Sequence, residues 1–304
     1  MRPTCDSLIV FNVDYRLSLC MTECLVCFTG GSIYASMASK IKSEIQILAT
    51  LVDFHDQEES EYRILVDDKH VKYITVDPGV FPKDDRTFAP VLIKMLPPIP
   101  PGDWNEGHIS KDLQIGHLFF SRTAKSSLPG VKNLWHHTQI DHLELKKLDR
   151  IRQYIHLVTH PLFKSPVIAK FTEFPWQTPY FEAETTAYEW VRGQGVGPEF
   201  LGHIMEAGRC IGFIVENVDG ARTAELADLS GCQLALAKLH SLGIIHGDIN
   251  KHNFLVRDAK VTLIDFESAR KCDNEDEFES ESQRLEHSLS DTSGRGGVGI
   301  PVSQ

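Results

Sequence analysis

Two features that would quickly assign a functional class are missing from this sequence: an excess of basic residues and a long apolar run. The chain has 31 Lys and Arg against 42 Asp and Glu, a formal net charge of −11. This balance argues against a general nucleic-acid binder, which normally presents a basic face. No stretch approaches the roughly 18 consecutive apolar residues that a membrane-spanning helix needs. We therefore expect neither a nucleic-acid partner nor a membrane partner.

Cysteine is scarce and unevenly placed. Seven Cys in 304 residues are an odd number in a long chain, which does not fit a disulfide framework. Cys20, Cys24 and Cys27 have the spacing of a radical-SAM iron–sulfur site. Nothing after them predicts the barrel of such enzymes, so we interpret them as small packed hydrophobic residues.

The apolar patch at 17–28 is interrupted by Glu23 and follows acidic residues, so we expect no signal peptide and a cytoplasmic or nuclear protein.

The first half of the chain predicts a small β-rich accessory module at 45–140, preceded by a poorly defined leader at 1–44. Strand-like runs lie at 45–49, 62–66 and 71–76, and a short polar turn joins the last two. The Pro-rich segment 96–104 must be extended, because Pro fixes φ and donates no backbone hydrogen bond. We interpret this segment as a rigid connector pinned by Trp104 rather than as a ligand for a Pro-binding domain.

From residue 141 to residue 270 the chain alternates strand and helix signals, and a separate core is expected there. The predicted strands are 143–148, 152–158, 166–171, 210–218, 254–256 and 261–264, and the predicted helices are 182–193 and 227–242. In the second helix Cys232, Leu236 and Leu239 have helical spacing.

After Arg270 the composition changes: six acids occupy residues 273–281, followed by many Ser and Gly, so we predict a disordered acidic tail over 271–304.

One constellation in this core indicates phosphoryl transfer from ATP. That reaction needs a carboxylate near the attacking hydroxyl, oxygen ligands for Mg²⁺ and a cation on the α- and β-phosphates. Asp248 and Asn253 are five positions apart and stand just before a predicted hairpin. The hairpin returns the chain so that Asp265 arrives beside Asn253, and carboxylate and amide oxygens suit Mg²⁺. The spacing therefore predicts Asn253 and Asp265 as metal ligands.

The same residues make the chain resemble the protein-kinase-like superfamily. His246, Asp248 and Asn253 match its catalytic loop, and residues 264–267 match its Asp-Phe-Gly region, with Asp265 as the metal-binding residue. The resemblance implies a two-lobed α+β fold, with ATP and Mg²⁺ as cofactors and catalysis centred on Asp248.

Residues 167–170 resemble the strand that carries the phosphate-binding Lys, so the resemblance implies that role for Lys170 and makes Glu184 its partner. Residues 213–218 resemble the interlobe hinge, which implies that the backbone of Glu216 and Val218 binds adenine. These site residues remain implications of the resemblance.

At several positions the chain departs from the superfamily pattern, and these departures make it more similar to some members of the superfamily than to others. Gly247 replaces an Arg and Glu267 replaces a Gly, which is similar to choline-kinase-like and aminoglycoside-phosphotransferase-like enzymes. No Gly occurs in 145–153, where a Gly-rich phosphate loop is expected. Few residues follow Glu267, so we expect a truncated C-terminal lobe.

The surrounding chain resembles a group of compact fungal kinase-like proteins through residues 77–81, 101–105 and 107–110. Some members of that group carry an α-galactosidase label. We find no support for the label, because no spacing of glycosidase carboxylates can be tested here and a barrel of about 250 residues leaves no room for the core.

Two hypotheses of function follow. The first is an ATP- and Mg²⁺-dependent phosphotransferase that acts on a hydroxyl of a small molecule or protein. The second is a catalytically weak kinase-like module that binds nucleotide or a partner, in line with the missing Gly-rich loop.

The His residues at 136, 137, 142, 156 and 160 match no standard metal spacing, so we interpret them as surface or strand residues.

Overall fold

The chain folds into two compact units, Met1–Ser127 and Leu128–Gln304. The structure is a computed structural model that describes residues 8–11, 44–53 and 55–293, and for 8–11 it describes the backbone alone. The three Cys at 20, 24 and 27 lie outside the described residues, as does most of the leader at 1–44. The boundary between the two units follows Ser127, before the boundary expected after residue 140, because residues 128–140 belong to the second unit. Val131 N–H, for example, donates to the Cys210 carbonyl at 2.9 Å.

The first unit is rich in β-strands. Its elements are β1 Leu8–Phe11, β2 Ile45–Asp53, β3 Ser60–Val66, β4 His70–Val76, α1 Ala89–Met95, β5 Glu106–Lys111 and β6 Leu118–Ala124. The described strands form one sheet in the order β1-β2-β3-β4-β5-β6, with β4 and β5 parallel and the other neighbours antiparallel. Strand β1 shows that part of the predicted leader belongs to this sheet.

The core of the first unit forms where apolar residues of β2 to β5 face α1. Ile47, Tyr62, Ile64 and Leu92 are fully buried there. The Pro-rich segment has no regular secondary structure, and the Trp104 indole Nε1–H donates to the Pro100 carbonyl at 2.8 Å. Trp104 therefore holds the turn before β5, as expected for a pinned connector.

The second unit contains the predicted catalytic segment. Its elements are β7 Gln139–Asp141, β8 Lys146–Arg152, β9 Ile155–Thr159, β10 Val167–Phe171, α2 Thr178–Trp190, β11 Phe200–Glu206, β12 Arg209–Val215, β13 Arg222–Thr223, α3 Leu229–His240, β14 Ile244–Ile245, β15 Phe254–Arg257, β16 Lys260–Leu263, β17 Arg270–Lys271 and α4 Glu275–Ser290. Sheets and helices are both present, which confirms the expected α+β class. Among the described residues, no helix combines the length and apolar character that crossing a bilayer requires.

The main sheet of the second unit has the strand order β7-β11-β12-β10-β9-β8. All neighbours are antiparallel except β7 and β11. Helix α2 connects β10 to β11 and buries Phe181, Glu184 and Tyr188. Because directly paired residues of antiparallel strands lie on one face, the pairing of Lys170 with Ile155 and Phe213 fixes the face on which Lys170 lies.

Helix α3 and the hairpin β15–β16 support the segment between β14 and β15. The buried residues of α3 are Cys232, Leu236 and Leu239, which confirms the face predicted from their spacing. Strands β15 and β16 pair in register around the turn at Asp258 and Ala259. The hairpin thereby brings the end of β16 beside the start of β15.

The prediction of a disordered tail is wrong for residues 275–290, which form helix α4. The Asn274 side chain caps the helix by accepting the Asp276 N–H at 3.0 Å, and acidic residues fill the first turn, where the helix dipole favours them. Glu281, Leu285 and Leu289 recur every four residues and are buried on one face, against α3. The acidic residues of 275–281 therefore form the first turns of α4.

Candidate active site

Lys170 lies at the centre of the candidate site. It stands on β10, in the middle of the main sheet, and its side chain is 12 % exposed. Its Nζ lies 2.6 Å from Glu184 Oε2 on α2 and 2.5 Å from Asp265 Oδ1, which follows β16. The structure thus brings together three predicted site residues from three separate segments.

The electrostatics of this group follow from three carboxylates around one ammonium group. Carboxylate oxygens of Glu184, Asp265 and Glu267 lie within 4.8 Å of one another. Burial and the neighbouring Asp265 and Glu267 raise the pKa of Glu184 to about 7, although Lys170 opposes the shift. Burial alone would raise the pKa of Asp265, but the contact with Lys170 outweighs it and lowers that pKa.

Lys170 itself has a raised pKa. Burial works against the charged form, but the two carboxylates in contact with the ammonium group outweigh burial. Lys170 is therefore a permanent cation in this site.

Asp248 and Asn253 meet in the loop between β14 and β15. The Asn253 Nδ2 group donates to the Asp248 carbonyl at 2.9 Å and to Asp248 Oδ2 at 3.1 Å. Asn250 Nδ2 donates to the same carboxylate oxygen at 3.0 Å. Both hydrogens of the Asn253 amide are thereby used, which leaves its Oδ1 as an acceptor. The other Asp248 oxygen accepts no hydrogen bond from a described side chain.

The two halves of the site are joined by backbone contacts. Ile264 N–H donates to the Asn253 carbonyl at 3.0 Å, which places Asp265 next to Asn253, as the hairpin predicted. Asp265 has φ +66°, in the left-handed region that residues other than Gly seldom adopt. After it the fully buried Phe266 ring packs against Tyr188 and His246, with centroids 5.2 and 5.3 Å away.

His246 is a buried residue that orients this loop. Its Nε2 donates to the Ile264 carbonyl at 3.0 Å, and its Nδ1 accepts the Asp248 N–H at 3.4 Å. Burial lowers the pKa of His246, so the ring is neutral with the hydrogen on Nε2. The geometry gives His246 a positioning role and no role as a base.

Gly247 is required by close packing. Its φ is +84°, and a Cβ at this position would lie 2.4 Å from the Ser268 carbonyl oxygen. Such a distance is shorter than any normal contact, so a side chain cannot be accommodated without moving the backbone. This packing explains why Gly stands where the superfamily resemblance predicts Arg.

Glu281 is a site residue that the sequence interpretation missed. It lies on α4, is fully buried, and accepts hydrogen bonds from Gly247 N–H at 2.8 Å, His246 N–H at 3.1 Å and His240 Nε2 at 2.8 Å. Burial alone would raise the pKa of Glu281, but these hydrogen bonds lower it. The spacing of Glu281, Leu285 and Leu289 was the available signal for this helix face.

The predicted hinge, residues 213–218, begins in β12 and continues past its end at Val215. Glu216 N–H donates to the Glu199 carbonyl at 2.8 Å. Among the described residues, neither the Glu216 carbonyl nor the Val218 N–H has a hydrogen-bond partner. One acceptor and one donor are thus left two positions apart, on either side of Asn217.

Side-chain hydrogen bonds hold the Gly-free turn between β8 and β9 in place. Gln153 Nε2 and Gln177 Nε2 both donate to the Tyr154 hydroxyl, at 2.6 and 2.8 Å. Tyr154 has φ +67°, so it occupies a conformation that Gly usually supplies. Arg152 pairs with Ile155, which also pairs with Lys170, so Arg152 and Lys170 lie on one sheet face.

The remaining His residues do not assemble into a metal site. His156 is buried in β9 and stacks on Phe171, His160 lies 3.3 Å from Glu144, and His142 lies 3.5 Å from Glu206. In the described ranges, the groups of His, Cys, Asp and Glu close enough to share a metal are Glu184–Asp265–Glu267 and Glu59–Asp77–His108.

Comparison with known proteins supports the assignment at the level of a kinase. Residues 218–295 match the family described as lipopolysaccharide kinase (Kdo/WaaP) family. This range contains Asp248, Asn253, Asp265 and Glu281. No curated protein matches the chain, and the comparisons give no support to the fungal resemblance or to the α-galactosidase label. In the segment that carries its candidate catalytic loop, the protein is therefore similar to kinases of the Kdo/WaaP family.

Proposed function

We propose that this protein is an ATP- and Mg²⁺-dependent phosphotransferase that transfers the γ-phosphate to a hydroxyl group of a small molecule or protein. One observation carries the proposal: the ion-paired group of Lys170, Glu184 and Asp265 adjoins the loop of Asp248 and Asn253. Phosphoryl transfer needs a cation for the phosphates, oxygen ligands for the metal and a carboxylate for the acceptor. These residues supply all three.

Lys170 serves as the cation that binds the α- and β-phosphates. The Glu184 carboxylate on α2 orients it, because the two form a nearly buried ion pair at 2.6 Å. A fixed ammonium group in a partly dry site attracts phosphate more strongly than an exposed one does. In the nucleotide complex the phosphates replace Asp265 as the second partner of Lys170.

Asp265 and Asn253 fit a Mg²⁺ ion. The ion takes oxygen ligands, and Asn253 has its Oδ1 left over once both amide hydrogens are donated to Asp248. The Asp265 carboxylate is ionised, since its pKa is lowered. When bound, the ion neutralises charge on the β- and γ-phosphates.

Asp248 receives the proton of the acceptor hydroxyl. One of its carboxylate oxygens is fixed by Asn250 and Asn253, so the other faces the acceptor. The hydroxyl oxygen forms a bond to the γ-phosphorus as its proton moves to Asp248, and the bond to the β-phosphate oxygen breaks to leave ADP.

The fold supports the same proposal. The antiparallel sheet, with α2 in the connection between β10 and β11, suits the N-terminal lobe of a kinase-like fold, and α3, the two hairpin strands and α4 suit part of a C-terminal lobe. The hinge at Glu216 and Val218 has the free carbonyl and N–H that an adenine edge needs.

A catalytically weak nucleotide- or partner-binding module is the second candidate, and one observation favours it. The turn at Gln153 and Tyr154 contains no Gly and is held by side-chain hydrogen bonds. Backbone amides of such a turn approach phosphates less closely than those of a Gly-rich loop.

A thermal shift assay on the full chain tests the proposal. ATP with Mg²⁺ should raise the melting temperature more than either component alone, because a ligand of the folded state stabilises it by mass action. Production of ADP with an acceptor then separates the two candidates. A chain that shows no shift with ATP and Mg²⁺ would refute both.

A further inference from the structure

A cavity of about 430 Å³ lies apart from Lys170, Asp248 and Asp265 in the second unit. It is lined by the segment before β7, by the loop after α2 and by the start of β11. This volume falls in the range of small-molecule sites. None of the proposed catalytic or metal-binding side chains lines it, although the hinge residue Glu216 lies at its edge.

An aromatic wall bounds the cavity. The Trp135 ring packs at 4.5 Å from Phe200, and its Nε1–H donates to the Thr185 carbonyl at 3.0 Å, so the indole is held in place. The buried rings of Phe200 and Tyr188 complete this wall. A fixed aromatic surface at a cavity is suited to a planar ring, which stacks on it.

Hydrogen-bond donors adjoin the same wall. The Arg192 guanidinium lies 5.4 Å from the centroid of the Trp135 ring. Gly193 and Gly195, with φ of +70° and +62°, line the cavity, and neither backbone N–H donates to a carbonyl of the described residues. One cation and two unused N–H groups beside an aromatic surface suit a carboxylate or phosphate attached to an aromatic ring.

The other charged residues limit the charge of the ligand. Glu199, Glu216 and Lys260 also line the cavity, and none of them or Arg192 forms an ion pair with another described residue. Two cations and two carboxylates sum to no net charge. The cavity therefore lacks the excess of positive charge that a polyanion such as ATP needs, and a single anionic group beside Arg192 is the most it can balance.

We propose that this cavity is a second ligand site, which binds a planar aromatic molecule carrying a single carboxylate or phosphate. The ring stacks on Trp135, and the anionic group accepts hydrogen bonds from Arg192 and the Gly193 and Gly195 N–H groups. The site goes beyond the proposed phosphotransfer, since it uses neither the catalytic loop nor the metal-binding residues.

The test uses indole-3-carboxylate as probe and indole-3-carboxamide as its neutral match, titrated into the full chain. Binding is followed by calorimetry and by the NMR signal of the Trp135 indole N–H. The carboxylate should bind more tightly than the carboxamide. Arg192→Gln should weaken carboxylate binding about tenfold, the equivalent of one charge-assisted hydrogen bond of roughly 1.4 kcal/mol. Arg284→Gln on α4, which does not line the cavity, should leave it unchanged.

Three results would overturn the proposal: no saturable binding of either probe, equal affinity for both probes, or unchanged affinity in Arg192→Gln. Displacement of the carboxylate by ATP and Mg²⁺ would place it in the nucleotide site and would also overturn it. Asp248→Asn and Lys170→Ala should bind the probe normally, so failure of the proposed phosphotransfer and failure of this site are distinguishable.

Discussion

Lys170 Nζ lies 2.5 Å from Asp265 and 2.6 Å from Glu184, so one ammonium group holds a carboxylate from the hairpin and another from α2. With Glu267 close by, three acids share one cation. The cation cannot neutralise all three, and the most deeply buried, Glu184, is the one whose pKa rises to about 7. The group that we propose binds a metal and phosphates therefore carries fewer positive than negative charges in the ligand-free protein.

The melting temperature of Glu184→Gln, compared with that of the wild type, should become more favourable as the pH rises from about 5 to 7, whatever the loss of the ion pair with Lys170 costs at every pH. A carboxyl with a raised pKa binds its proton more tightly in the folded state, so stability is lost as pH rises from the ordinary value through about 7. Gln, which cannot ionise, avoids that loss. Melting temperatures across this range provide the measurement, with Glu286→Gln on the exposed face of α4 as the control. ATP binding should weaken in the same variant, and a gain that does not depend on pH would contradict the assignment.

Asp265→Asn should abolish the Mg²⁺-dependent part of nucleotide binding and leave the fold intact. The substitution keeps the size of the side chain but removes the charge that a hard cation requires. Calorimetric titration of ATP with and without Mg²⁺ measures the effect. Asp258→Asn, in the exposed turn between β15 and β16, should titrate like the wild type. An unchanged titration for Asp265→Asn would show that the metal binds elsewhere.

Asp248→Asn should reduce turnover about 10²–10⁴-fold, the usual contribution of a positioned acid or base, and should leave ATP affinity almost unchanged. In the proposed mechanism Asp248 faces the acceptor rather than the nucleotide, whereas Lys170→Ala should impair both affinity and turnover. Steady-state rates of ADP formation are compared with ATP dissociation constants for the two variants. Equal residual rates in wild type and Asp248→Asn would favour the binding-module candidate.

Glu281→Ala should destabilise the loop at His246 and Gly247. The change leaves two backbone N–H groups without their acceptor, and the buried one, on His246, costs about 1–3 kcal/mol. Denaturant unfolding and nucleotide binding should both be affected. Glu279→Ala lies two residues away on the exposed face of α4 and should change neither. Normal nucleotide binding by Glu281→Ala would remove Glu281 from the site.

Gly247→Ala should destabilise the protein more than Gly220→Ala. Both residues have positive φ, +84° and +70°, so both substitutions strain the backbone by about 1 kcal/mol or more. A Cβ at Gly220 meets nothing within 4 Å, whereas one at Gly247 lies 2.4 Å from the Ser268 oxygen. The difference in unfolding free energy between the two variants therefore measures the close packing alone, and equal values would exclude it.

Two kinds of feature could be predicted from the sequence: side chains that the chemistry of phosphoryl transfer requires, and elements with a short-range apolar pattern. Asp248, Asn253 and Asp265 were expected to meet because the distance along the chain is bridged by one short hairpin, and the structure joins Asn253 to Ile264. The buried face of α3 followed from the helical spacing of its apolar residues.

The elements that were missed depend on tertiary contacts. The acidic composition of residues 273–281 predicted disorder, yet the acids beside Asn274 stabilise a helix start, and Leu285 and Leu289 bury its face against α3. Nor does anything local in the sequence reveal that the segment at Val131 is tied to β12 by a backbone hydrogen bond. Average composition cannot detect a stripe of three buried residues. Secondary-structure propensity cannot detect that Val131 has its hydrogen-bond partner at Cys210.

The position of Glu281 also affects how this protein is made. The residue that fixes the backbone of Gly247 is synthesised 34 residues after it. A ribosome that has just finished Asp248, Asn253 and Asp265 has therefore made every proposed catalytic group but not the anchor for their loop. Competence to bind nucleotide, under this proposal, should arise abruptly once α4 has been made. A nascent chain halted before α4 should remain open to chaperones and proteases.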